Sequence, residues 1–79
     1  PENEAKVMLL ILNFLSQADA VINQNEILTG LGIDDQIIKD QLYQMTKDHL
    51  LFRTMGNDDI WQYQFKHEIF RQWWQINQA

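Results

Sequence analysis

The pattern of apolar and polar residues changes its period near the C-terminal end of the chain. In residues 61–65, large aromatic side chains alternate with polar ones, which is the two-residue period of a half-buried strand. The next apolar residues recur at three- and four-residue spacing, which predicts a helix. They are Ile69, Phe70, Trp73 and Ile76. The change falls at residues 66–68, so His67 and Glu68 are predicted at a joint between strand and helix.

Residues 3–18 predict a first helix with an unusually wide apolar face. Its main stripe consists of Val7, Leu10, Ile11, Phe14, Leu15 and Ala18, with Met8 and Leu12 beside it. Leu9 falls among the polar positions. Either this helix is central and is contacted from several sides within the fold, or Leu9, Leu12 and Met8 face a neighbouring domain.

Capping residues divide the middle of the chain into two further helices. Residues 20–22 form a short apolar run that can pair as a strand. Asn23 and Glu26 then have the spacing of a capping box, in which Glu26 reaches back. Gly30 and Gly32 are expected to end the second helix, because glycine adopts the left-handed conformation without steric cost.

A third helix and a hairpin follow. Asp34 is the expected N-cap of a helix over 35–49, and residues 50–55 and 60–65 predict two strands joined by a turn. The order of elements resembles a winged helix-turn-helix, which is an α+β fold, mostly α, with about four helices and a small hairpin wing. The expected core comprises Leu10, Ile11, Phe14, Ile38, Leu42, Ile69, Phe70 and Trp73.

Composition restricts the classes of function. The 79 residues have the length of one domain, which we place over 1–79. No apolar run is long enough to span a membrane, and the absence of cysteine suits a cytoplasmic protein. The chain begins with Pro1, so we expect a domain excised from a larger multidomain protein, although removal of Met before Pro would give the same start.

The chain carries little that predicts catalysis. It has two histidines and no cysteine, and the pairs Asp34–Asp35 and Asp58–Asp59 have the positions of turn and cap formers. No glycine-rich phosphate loop, metal-ligand spacing or nucleophile–base set is present. We therefore expect no catalytic residues, no metal and no cofactor in this domain.

A DNA-binding function is an alternative that the fold permits. The third helix would read the bases and the wing would contact phosphate, through Gln36, Lys39, Tyr43, Lys47 and Arg53. The charge opposes this alternative, because eleven acidic residues outnumber six basic ones and give a net charge of −5. Acidic residues also occur on the same helix and at the wing tip.

The C-terminal pattern is more specific, and it resembles the end of the winged-helix domain of STAND-type and related AAA+ signal-transduction ATPases. The pattern is Tyr63-x-Phe65-x-His67-Glu68-x-Phe70-Arg71-x-Trp73. In that family, the last helix begins with a Met-His-Asp motif whose histidine contacts the β-phosphate of ADP. Lys66-His67-Glu68 occupies that place, with Lys66 instead of Met and Glu68 instead of Asp.

This resemblance implies a non-catalytic regulatory domain that docks on an ATPase core and senses its nucleotide. It implies that His67, with Glu68 and Arg71 nearby, takes part in phosphate sensing, and that the parent protein binds ATP or ADP. The implied partners are the intramolecular core, other protein domains or further copies. A separate expectation, from the apolar pattern, is an interface that includes Leu9, Leu12 and Trp74.

Overall fold

The computed structural model describes residues 2–18 and 20–78, with side chains from Glu4 onward, and it confirms the predicted fold class. The elements are helices α1 (Glu2–Ser16), α2 (Gln24–Leu31), α3 (Asp35–Lys47) and α4 (Glu68–Asn77), and strands β1 (Ile22–Asn23), β2 (Leu51–Met55) and β3 (Trp61–Phe65). Four helices and a small antiparallel sheet in this order form a winged helix-turn-helix. The fold is α+β and mostly α.

The predicted N-cap side chains of the second and third helices are present, but no bond from Asn23 N–H to the Glu26 side chain completes the predicted capping box. The Asn23 side chain accepts a hydrogen bond of 2.9 Å from the backbone N–H of Glu26, and the Asp34 side chain accepts one of 3.1 Å from Ile37. Gly32 ends α2 in the left-handed conformation, with φ 64°. These side chains and this glycine satisfy backbone groups that helix ends leave without partners.

The prediction for Gly30 is wrong, because this residue lies inside α2 and does not end it. A Cβ atom at Gly30 would overlap an edge carbon of the Phe14 ring. Glycine at this position therefore lets α2 approach α1 closely, with the Phe14 ring against its backbone.

The sheet has the strand order β1-β3-β2, and both pairings are antiparallel. The hairpin register places Leu51 opposite Phe65, Arg53 opposite Tyr63, and Met55 opposite Trp61. These six side chains share one face of the sheet, because directly opposite residues in an antiparallel pair point the same way. The base of that face enters the core, and its far end extends along the wing.

The core lies between α1, α3, the sheet and α4. Predicted core residues Ile11, Ile38 and Leu42 are fully buried, and Phe14 and Phe70 pack against the core while partly exposed. The prediction is wrong for three residues. Leu10 is 44% exposed, Ile69 is 82% exposed and Trp73 is 49% exposed.

The prediction for Ile69 and Trp73 is wrong because α4 is rotated about its own axis relative to the orientation that the apolar pattern predicted. Trp74, and not Trp73, faces the core, and its indole N–H donates a hydrogen bond of 2.7 Å to Asn13 Oδ1 on α1. One turn earlier, Arg71 is 8% exposed and donates a 2.9 Å hydrogen bond to the backbone oxygen of Ser16. Two polar anchors therefore decide which side of α4 faces inward, although a more apolar stripe was available.

Candidate functional site

The outward side of α4 carries an apolar stripe in solvent. We call Ile69, Trp73 and Ile76 the outer stripe; they are 82%, 49% and 80% exposed. Their spacing of four and then three residues puts them on one side of the helix. An amphipathic surface helix normally turns such a stripe toward the protein core. Here the opposite side of α4 packs against the core, so Ile69 and Ile76 stay largely exposed. Trp73 stacks on Phe70 of the same helix and stays half-exposed.

Along α4 after Ile69, the exposed residues beside the outer stripe are uncharged. Its neighbours on α4 are Gln72, Gln75 and Asn77, and the only charged side chains in this helix are Glu68 and Arg71, which pair with each other. On α1, Leu9 is 44% exposed and lies one turn before Asn13, which contacts α4. An uncharged apolar surface of this kind is typical of a protein–protein contact.

Of the three expected interface residues, Leu9, Leu12 and Trp74, only Leu9 has an exposed side chain. Leu12 is 2% exposed and Trp74 is 9% exposed, so both belong to the core, and their predicted exposure is wrong. Leu12 is buried because α1 is central and is contacted by α2, α3 and α4. Leu9 is exposed, and its role in an interface stays a prediction.

Arg71 and Glu68 form a structural link between α4 and α1. Arg71 Nη2 and Nε donate hydrogen bonds of 2.6 and 2.9 Å to Glu68 Oε1, while Nη1 reaches the Ser16 carbonyl. That carbonyl lies at the C-terminal end of α1, which has no basic residue in its last turn. A cation there stabilises the negative end of the helix dipole. The bonds to Arg71 also hold the pKa of the Glu68 carboxyl below its usual range.

His67 is the N-cap residue of α4, as predicted from the change of period. Its side chain is exposed and makes no capping hydrogen bond. The structure therefore separates the three residues implied in phosphate sensing, because Glu68 and Arg71 are bonded to each other, whereas the imidazole faces solvent. An exposed imidazole beside the first amides of a helix suits a single hydrogen bond to an anion. The sensing role itself stays a prediction.

A second surface joins α3 to the wing. The Arg53 guanidinium lies 3.8 Å from the centre of the Trp61 ring and 5.9 Å from that of Tyr43, and Lys47 Nζ lies 5.8 Å from the Tyr43 ring. Arg53 thus bridges two aromatic rings from different elements. It also opposes the rise that burial causes in the pKa of Tyr63. We call Tyr43, Lys47, Arg53 and Trp61 the wing cluster.

The residues proposed for DNA contact lie on this side of the molecule. Tyr43 and Lys47 belong to the wing cluster with Arg53, and Gln36 and Lys39 are exposed further along α3. The Gln36 side chain donates a 2.8 Å hydrogen bond to Asp40. Sequence reasoning missed Trp61 as a surface residue. The signal for it was the hairpin register, which puts Trp61 opposite Met55 and on the same face as Arg53.

The carboxylates at the wing tip act as turn formers. Asp58 Oδ1 accepts a 3.1 Å hydrogen bond from the backbone N–H of Ile60, and Asp59 has a φ of 60°. Within residues 2–18 and 20–78, no group of three potential metal-ligating side chains occurs. In the same part of the chain, no helix is long and apolar enough to cross a membrane.

Comparison of the chain with protein-family models, with curated proteins and with solved structures finds no match in any of the three. The resemblance to STAND-type ATPases therefore depends on the residue pattern of 63–73 alone.

Proposed function

We propose that this chain is a non-catalytic regulatory winged-helix domain that docks on another protein domain through the outer stripe of α4. The observation that carries the proposal is the exposure of Ile69, Trp73 and Ile76 on one uncharged side of a helix. Burial of a large apolar side chain contributes about 1.5–3 kcal/mol, so covering this stripe is a substantial driving force for association.

The pattern of residues 63–73 supports a specific setting, in which the domain belongs to a larger STAND-type or AAA+ ATPase. In that setting, the docking partner is the ATPase core, and His67 lies at the start of the docked helix. One hydrogen bond from an imidazole to a charged phosphate contributes about 1.5–3 kcal/mol. A contact made only in the docked form shifts the docking equilibrium by roughly tenfold to a hundredfold when it is lost.

The substitution His67→Ala tests the sensing role in the full-length gene product. We expect the chain to stay folded, because His67 is exposed and makes no capping bond. We expect ADP to dissociate roughly tenfold to a hundredfold faster, which stopped-flow measurement with a fluorescent ADP analogue would show. Gln75→Ala, a change at an exposed, uncharged residue of the same helix, is the matched control. Equal ADP release rates in variant and wild type would contradict the sensing role.

DNA binding is the second candidate, and the wing cluster is the observation that favours it. Lys47 and Arg53 place positive charge beside Tyr43 and Trp61 on the side where winged helices contact DNA. The net charge of −5 and the two carboxylates at the wing tip oppose it. Titration of the chain with duplex DNA at low and moderate salt separates the candidates. Submicromolar binding with a steep salt dependence would favour DNA, and millimolar binding would favour the docking domain.

A further inference from the structure

The outer edge of β2 has no strand partner within the described residues. Because the sheet order is β1-β3-β2, β3 is central and β2 is an edge strand of five residues, Leu51–Met55. Natural proteins usually protect such an edge with proline, a bulge, a very short strand, charged side chains or a covering element. Of these, β2 has one charged side chain, Arg53 at its centre. The segment Leu-Phe-Arg-Thr-Met contains no proline, and it pairs with β3 in continuous register without a bulge.

The hydrogen-bond pattern shows which residues of β2 offer their backbone to solvent. Lys66 N–H donates to the Leu50 carbonyl, and Gly56 N–H donates to the Ile60 carbonyl. Bonded and non-bonded pairs alternate in an antiparallel ladder, so even-numbered residues of β2 bond to β3. The N–H and C=O groups of the odd-numbered residues therefore point away from the sheet. Leu51 is buried, which leaves Arg53 and Met55 as the open part of the edge.

Positive charge borders this edge on both faces of the sheet. On one face lies the wing cluster, with Arg53 stacked on Trp61 and Lys47 beside Tyr43. On the other face, Lys66 Nζ lies 5.8 Å from the centre of the Phe52 ring. Three of the six basic residues of an acidic chain thus surround one short strand. Apolar area is present as well, because Phe52 is 45% exposed and Met55 is 48% exposed.

We propose that the edge of β2 binds an extended acidic peptide segment of a partner protein, which adds to the sheet as a fourth strand. Backbone hydrogen bonds to Arg53 and Met55 would hold the segment, and its carboxylates would lie beside Arg53, Lys47 and Lys66. This site is separate from the outer stripe of α4 and does not depend on it.

The same features favour a peptide over a nucleic acid. They also indicate at which end of the bound segment its carboxylates lie. A phosphate backbone can accept bonds from the outward N–H groups but leaves the outward C=O groups unpaired, whereas a peptide strand pairs with both. Asp58 and Asp59 at the wing tip repel anions just beyond Met55. The carboxylates of the bound segment therefore belong at the end that lies beside Lys47 and Lys66.

Titration of the ¹⁵N-labelled chain with the peptide acetyl-Thr-Val-Thr-Val-Glu-Glu-Glu-amide tests the proposal by NMR. Its consecutive glutamates project to both faces of an added antiparallel strand, at the end that lies beside Lys47 and Lys66. We expect saturable shifts centred on the backbone amides of Arg53 and Met55. Arg53→Gln should weaken binding about tenfold or more, because a bond to a charged group is lost. Lys6→Gln, which changes the net charge equally on α1, should leave the affinity unchanged.

Two control peptides and one competitor decide between backbone pairing and simple charge attraction. The same peptide with every backbone nitrogen methylated keeps its charge but cannot donate backbone hydrogen bonds along either of its edges, and it should not bind. The peptide with lysine in place of glutamate should not bind either. Equal binding of the N-methylated peptide, absence of any saturable shift at Arg53 and Met55, or tighter binding of duplex DNA to the same residues would each overturn the proposal.

Discussion

Trp73 and Trp74 are adjacent and chemically identical, but they lie in opposite environments. Trp74 is 9% exposed, donates a hydrogen bond to Asn13 and packs edge-on against Phe70 at 5.9 Å between ring centres. Trp73 is 49% exposed and stacks on the outer side of the same Phe70 ring at 6.4 Å. The inner side of α4 therefore has polar partners on α1, whereas the outer side carries apolar residues that stay 49–82% exposed.

The contrast shows that apolar content alone does not decide which side of a helix is buried. The outer stripe is the more apolar side, but the inner side contains Arg71, whose guanidinium reaches the end of α1 and Glu68. A charged residue is rarely buried unless it is paired, and here the pairing is complete enough to permit it. The apolar side is then left for a second protein surface.

The largest effect is expected for Trp74→Ala. Removal of a large buried aromatic side chain costs about 3–5 kcal/mol, and it also leaves Asn13 without its donor. We expect a fold of this size to lose a large part of its stability, since small domains have about 5–15 kcal/mol in total. Urea unfolding followed by circular dichroism measures the change. A loss as small as that of Trp73→Ala would contradict the inward position of Trp74.

The substitution Trp73→Ala should have a much smaller effect on stability. Its half-exposed ring contributes mainly through the stack on Phe70, and such pairs contribute about 0.5–1.5 kcal/mol. The same urea experiment gives the value directly. A cost in stability equal to that of Trp74→Ala would show that Trp73 faces the core, as the sequence pattern predicted.

The Glu68→Gln variant should lose stability in a pH-dependent way. Arg71 lowers the pKa of Glu68 in the folded chain, so the contribution of the ionised carboxylate is present above the unfolded pKa of Glu68. It is lost as the pH falls through the folded pKa. Wild type and variant should therefore differ at neutral pH and converge in acid. A constant difference from neutral pH to strongly acidic pH would show that the charge of Glu68 does not matter.

The smallest effect on stability is expected for the double variant Ile69→Lys with Ile76→Lys. Both side chains are more than three-quarters exposed, so the cost should stay within about 0.5 kcal/mol per site. The control is Gln72→Lys with Gln75→Lys, which adds the same charge to the same helix outside the stripe. Marked unfolding of the first variant alone would show that the outer stripe is packed within the chain.

Local signals in the sequence were sufficient for the fold but not for the site. Asn23, Asp34 and Gly32 identify helix ends through short-range hydrogen bonds and backbone conformation, and strand alternation identifies the hairpin. The rotation of α4 depends on contacts with Asn13 and Ser16, which are more than fifty residues away in sequence. No local period contains that information, so the pattern indicated the wrong side.

Photocrosslinking in the purified full-length gene product tests the central claim most directly. A benzophenone amino acid is placed at position 73, in the outer stripe, or at position 75 on the flank of the same helix. We predict that position 73 crosslinks to one defined surface elsewhere in the assembly, and that Ile69→Lys with Ile76→Lys abolishes this product. Position 75 should give little product. Equal yields from both positions, or none from position 73, would contradict a docking role for the outer stripe.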